Sequence, residues 1–221
     1  MTTAVADARK ISETNAASIQ ERVESAINAM ITSLPDANEI SADQRRGILT
    51  RYTAVLEGNF IYWMTGAYLA VKSEAARAII LENLHQEVRD CHPGMLRRFA
   101  IAARAVPTDL DAMAVYEELT KVRLFIGRLS GVPIVVMMAF FEGFIQKFME
   151  FLAELAAGQV SVEREYTDVH GVCDIAHTAG LFRALAEEMT ISPTEPATNL
   201  FEGVDLLSAL IHRIVDGPLS V

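Results

Sequence analysis

Cysteine is scarce in this chain, and basic charge, strand patterning and long apolar runs are scarce as well. Two cysteines in 221 residues, Cys91 and Cys173, cannot build a disulfide framework. No signal-peptide pattern opens the sequence, so a reducing cytoplasm is the expected compartment. Basic side chains number 19 against 29 acidic ones, a formal charge of -10. Without a basic stripe to neutralise phosphates, nucleic acid and anionic membrane surfaces are excluded as expected partners, while a small metabolite is not. The longest apolar stretch, Val132 to Phe141, is about half of a membrane span. Alternating runs rich in Val, Thr and Tyr, the mark of strands, are missing.

What is present is apolar residues at helical spacing almost throughout, which predicts one all-α domain over 1–221, a bundle of seven or eight helices with residues 1–10 frayed. Ser12 and Glu13 open a helix that Pro35 stops, and a second runs from Ser41 to about Val71. Ser73 caps a third, which ends near His92 because the residue before Pro93 is pushed out of the α region. Further helices are expected over Gly94 to Ala105, Thr108 to Leu129, Gly131 to Ala157, Val162 to Met189 and Ala197 to Val215, with Pro193 and Pro196 separating the last two.

Four of the five histidines form two pairs seven residues apart, His85 with His92 and His170 with His177. Residues seven apart share a helix face, about 10.5 Å apart along the axis. Asp174 falls between the second pair on the same face. A helix presenting His, Asp and His at these offsets has the breadth of a two-metal centre, and these ligand types suit iron, manganese or zinc. A single histidine on an apolar helix is more often a hydrogen-bonded core residue; the repeated spacing favours ligation. Glu142 is the third component, the one charged residue in the run from Ile134 to Ile145. A buried carboxylate needs a cation, a proton or a partner such as Arg123 or Arg128, and a bridging position between two metal ions would satisfy it.

These residues resemble the haem-oxygenase-like diiron oxidases and oxygenases, a family of seven-helix proteins. Its third core helix carries a motif of His, three residues, Asp, two residues and His, present here as His170, Asp174 and His177. Glu142 stands close to where the family places its second-helix glutamate, and Asn83, Leu84, Glu87, Asp90, Leu96 and Phe99 look like the segment around its first-helix histidine, here His92. The likeness covers about residues 73 to 185. It departs at the first carboxylate, where His85 stands seven residues before His92; Glu82 with His85 is the competing assignment, and Glu57 and Glu82 are reserve ligands.

The resemblance implies two Fe(II) ions held by His85, His92, Glu142, His170, Asp174 and His177, with O2 as cosubstrate. It implies oxidation of a small amino acid or derivative by N-oxygenation, desaturation or carbon-carbon cleavage, often in natural-product biosynthesis. Four histidines and two carboxylates would leave two divalent ions short of neutral, so modest metal affinity and an attraction for anions are expected. Val169, Gly171, Val172, Thr178 and Gly180 make the third metal-binding helix weak, so metal is expected to order the segment from Tyr166 to Gly180.

The alternatives are a metal-free, haem-binding or thiaminase-like enzyme or binding protein of the same fold, and a metal-storage or structural bundle. A haem branch needs an axial histidine near the start of the chain, yet none precedes His85. A thiaminase needs a reactive cysteine, and Cys173 stands beside Asp174, which raises a thiol pKa. Storage bundles carry paired Glu-x-x-His motifs, of which Glu82 with His85 is one. Arg97, Arg98 and Arg183 could clamp a substrate carboxylate, although exposure is the ordinary fate of arginine. A homodimer through an apolar face is the expected assembly.

Overall fold

A computed structural model describes residues 2–192 and 198–218, with side chains from residue 14 onward. Among the described residues there are nine α-helices and no strand. In chain order they are α1 (Thr2–Thr32), α2 (Ala42–Ala70), α3 (Glu74–Arg89), α4 (His92–Ala102), α5 (Asp109–Ala114), α6 (Tyr116–Ile126), α7 (Gly131–Ala157), α8 (Glu165–Ile191) and α9 (Glu202–Asp216). The protein is all-α, as its periodicity predicts. One helix expected over Thr108 to Leu129 is two, because Val115 leaves the helical region at φ -111 and ψ 1. α1 begins ten residues before Ser12, and the break expected at Pro193 and Pro196 lies outside the described residues.

Local chemistry sets several helix starts. Ser41 and Gln44 form a reciprocal capping box on α2, and Thr108 with Asp111 does the same on α5. Ser73 caps α3, while the buried Glu188 carboxylate of α8 accepts from the backbone N–H groups of Lys72 and Ser73, each at 2.8 Å. That places a negative charge on the α3 N-terminus, where the helix dipole favours it. Arg51 of α2 is buried and donates to the carbonyls of Ile214 and Pro218, capping the far end of α9.

α7 is the axis of the bundle. Apolar on all sides from Val132 to Ile145 apart from Glu142, it packs on α1, α2, α8 and α9. By length and composition α7 could cross a membrane, but nearly all of it is buried inside the bundle. Phe140, Phe144 and Phe148 stack along one side, the last two with ring centroids 4.8 Å apart, and Trp63 meets Phe141 edge-on at 5.2 Å. Each such side chain contributes roughly 1.5–3 kcal/mol by burial. Gly143 lets α1 approach: a Cβ there would lie 2.7 Å from Ile27 Cδ1.

Two breaks position the site. α2 kinks at Glu57 and Gly58, with Gly58 at φ 82. Between α3 and α4, Cys91 takes a left-handed conformation at φ 58 and ψ 40, and Pro93 occupies the first turn of α4. The expected single helix through His92 therefore ends at Arg89, and His92 opens the next helix.

Candidate metal centre

α3, α4, α7 and α8 bring six ionisable side chains into one buried cluster: Glu87, His92, Glu142, His170, Asp174 and His177, each at most 6% exposed. α8 supplies three of them through its regular turn, since positions 170, 174 and 177 fall on one face and that face is buried. α7 supplies Glu142 from the middle of its apolar run.

The α3–α4 corner supplies the other two. The left-handed turn at Cys91 folds His92 back so that its Nδ1 lies 2.9 Å from Glu87 Oε1. His85 and Glu82 do not join the cluster; both are exposed, on the outer face of α3. The expectation that His85 pairs with His92 across two turns is corrected here, because no continuous helix connects them. Glu57 is also outside, exposed at the α2 kink and paired with Arg97.

Sequence reasoning passed over Glu87 as a ligand, although a signal was there. Ala76, Ile80, Asn83 and Glu87 recur at intervals of four, three and four residues and form the buried stripe of α3. A glutamate on that stripe is as anomalous as Glu142 in α7.

The cluster has two halves. Ligand-capable atoms of Glu87, His92 and His170 lie within 4.8 Å of one another, and so do those of Cys173, Asp174 and His177. Glu87 lies between the halves, its Oε1 also 3.9 Å from His177 Nδ1. The same His177 nitrogen is 3.7 Å from Glu142 Oε1 and 3.6 Å from Asp174 Oδ1. Each of these groups could hold a metal ion.

Hydrogen bonds from outside orient two of the rings. His170 Nδ1–H donates to the Tyr166 carbonyl at 2.8 Å, which leaves Nε2 as the free lone pair. His177 Nε2–H donates to Gln86 Oε1 at 2.8 Å, which leaves Nδ1 facing the carboxylates. His170 packs edge-on to His92 at 4.5 Å between ring centroids and lies 4.3 Å from the Tyr166 ring.

Electrostatically the cluster is frustrated. Burial, and then the charge of Glu87, pushes the Glu142 carboxyl well above its usual range. Asp174 is raised by burial and then by Glu142. Burial lowers His170 to about 4, so its imidazole is neutral at ordinary pH. Three buried polar atoms of the cluster, Glu142 Oε1, Asp174 Oδ2 and His177 Nδ1, have no hydrogen-bond partner. Such groups ordinarily find one, and three in one place call for a cation or protons.

No family model, curated protein or solved structure matches this chain. The likeness therefore rests on the motif residues His170, Asp174 and His177, on Glu142 and on the segment around His92 alone.

Cys173 is half-buried and donates to Asp174 Oδ1 at 3.1 Å. Burial, followed by the neighbouring Asp174, pushes its thiol pKa up, the opposite of what a nucleophile needs. A narrow pocket of about 40 Å³ opens against Glu87, His92, Glu142, His170 and Asp174.

Proposed function

We propose that the cluster holds two first-row divalent ions, iron foremost, and that the protein is an O2-dependent oxidase or oxygenase of a small molecule, of the haem-oxygenase-like diiron kind. The observation that carries this is the convergence of Glu142 Oε1, Asp174 Oδ2 and His177 Nδ1, buried and unpartnered, beside a second group of Glu87, His92 and His170. A cation satisfies all three atoms together, whereas an internal ion pair with arginine does not: Arg123 donates to Asn59 and Arg128 to Glu202.

In this assignment Glu87, His92 and His170 would hold one ion, and Asp174 and His177, with Glu142 beside them, would hold the other. Ferrous ions in such a site supply electrons for the reduction of O2. The chain's part is to fix the ligands and keep the chemistry dry. His170 and His177 are locked by Tyr166 and Gln86 in the tautomers that leave a lone pair for metal. α7 walls off the cluster with an apolar helix.

Replacing the expected His85 by Glu87 changes the charge. Three carboxylates against two divalent ions leave one uncompensated positive charge, so the centre attracts a monoanion.

The test is anaerobic titration with Fe(II), followed by O2. Uptake of two ions per chain and a transient visible absorption band after O2 are expected. Absence of stoichiometric iron binding would sink the assignment, and iron binding without reaction with O2 would favour storage.

A further inference from the structure

The pocket against the cluster is smaller than any molecule the proposed oxidation would act on. Its 40 Å³ is room for roughly two or three waters, so an organic molecule has to displace a wall. α7 is held by helices on every side, and α8 carries His170, Asp174 and His177 of the cluster. α2 is different. Its break at Glu57 and Gly58 falls inside the wall, between Leu56 and the pair Phe60 and Ile61, all of which line the pocket.

The break is built as a hinge. Gly58, at φ 82, holds a backbone conformation that glycine adopts without strain, and it is exposed. Asn59 anchors the turn that follows: its Nδ2–H donates to the Val55 carbonyl at 2.7 Å, and its Oδ1 accepts from Arg123 Nε of α6 at 2.9 Å. Open space adjoins the same segment, a surface crevice of about 480 Å³ lined by Glu57, Gly58, Asn59, Tyr62 and Arg123. Tyr62 stands two positions from Phe60, about 200° around a helix, so crevice and pocket take opposite faces of this turn. A wall with a void at its back has somewhere to go.

An ion pair ties this wall to the next. Glu57 of α2 pairs with Arg97 of α4, and the two follow directly on Leu56 and Leu96, which line the pocket from either element. Both side chains of the pair are exposed, so the bond is weak and screened by salt.

We propose that the α2 break is a gate to the cluster, with Gly58 as its hinge and the Glu57–Arg97 ion pair as its latch. When the latch opens, Phe60 and Ile61 move toward the crevice and a small molecule passes between α2 and α4. The hinge and latch stand without metal, whereas their use by a substrate rests on the proposed function.

Trp63, the chain's only tryptophan, is buried in α2 just past the hinge, edge-on to Phe141 of the pocket wall. Acrylamide quenching of its fluorescence in the metal-free full chain therefore measures opening. E57Q and R97Q should each raise the quenching rate constant by about two- to fivefold, the range an exposed ion pair can supply. The double variant should add nothing to either single one, and the charge exchange E57R with R97E should restore the parent value. Amide exchange should quicken over residues 57–63 and stay unchanged in α7. Circular dichroism confirms that each variant is folded. Equal quenching in the parent and both single variants overturns the gate, and so does a double variant in which the two effects multiply.

A second arm loads the protein with Co(II) in air-free buffer and follows azide binding by stopped-flow absorbance. A gate changes entry and exit together, so both rate constants should rise about two- to fivefold in E57Q and R97Q while the dissociation constant stays the same. The two variants shift net charge in opposite directions, so steering of the anion does not accelerate both. Faster quenching with unchanged azide rates shows a mobile turn that is not the way in, and overturns the proposal. Failure of Co(II) to bind overturns the metal assignment, and the quenching of Trp63 in the metal-free chain then decides the gate by itself.

Discussion

Gln86 fixes the tautomer of His177: the ring donates its Nε2–H to Gln86 Oε1 at 2.8 Å, while the Gln86 amide nitrogen donates to Glu82 at 3.1 Å. The acid considered as a reserve ligand thus acts two bonds away, holding the amide whose oxygen holds the histidine. Outer partners of this kind orient metal ligands.

Q86L should therefore lower metal affinity by about 10- to 100-fold, with the loss confined to one of the two ions. Q86E, which keeps an acceptor at that position, should retain most of it. Anaerobic Fe(II) titration measures both, and equal affinity of Q86L and the parent would show that the hydrogen bond is incidental.

The exchange of His85 for Glu87 in the ligand set is directly testable. H85A removes an exposed side chain and should leave iron uptake and melting temperature unchanged, within about 0.5 kcal/mol. E87A should abolish uptake of at least one ion. Because Glu87 adds to the electrostatic strain on both Glu142 and Asp174, E87Q, which removes the charge but keeps an oxygen within reach of His92 Nδ1, should raise the melting temperature of the metal-free protein. Loss of iron from H85A would restore the pairing of His85 with His92.

The pH dependence of metal-free stability has a definite sign. Glu142 and Asp174 have raised pKa values in the folded protein, so the fold keeps protons that the unfolded chain releases above its ordinary carboxyl values of 4.5 and 3.8. Their contribution is full below those values and is lost as pH rises toward the folded ones. His170, lowered from 6.5 to about 4, acts oppositely, adding stability as pH rises across that interval. Above pH 6.5 the His170 contribution is complete, so any further change that these groups impose on the melting temperature of metal-free protein as pH rises should be a fall. E142Q should flatten the fall, and added divalent metal should reverse it, because the ions displace the same protons. A metal-free melting temperature that climbs over this range would contradict the burial of protonated carboxyls.

α8 is continuous from Glu165 to Ile191 through residues that form helix poorly. Metal should slow amide exchange across Tyr166 to Gly180 more than across α7. At Gly171 an added Cβ would meet nothing within 4 Å, so G171A should stabilise the metal-free chain by up to about 1 kcal/mol. At Gly58 the space is equally open, yet φ is 82, and G58A should cost about 1–2 kcal/mol. Thermal unfolding of the two variants should shift in opposite directions.

How much of this was legible in the sequence depends on how far each relation stays within one unbroken helix. Apolar periodicity alone determined the all-helical class, the burial of α7 and the anomaly of Glu142. The offsets of His170, Asp174 and His177 placed them on one face, and α8 keeps them there because it has no break. The same arithmetic failed for His85 and His92, since Cys91 turns the chain between them and brings Glu87, not His85, to His92. Only the packing of α3 and α4 against α8 decided which side chains meet in the buried cluster, the hydrogen bond from His177 to Gln86 and the apolar wall beneath the α2 kink. Spacing along a chain fixes direction only while one helix axis lasts; past a break, direction follows from which surfaces bury one another.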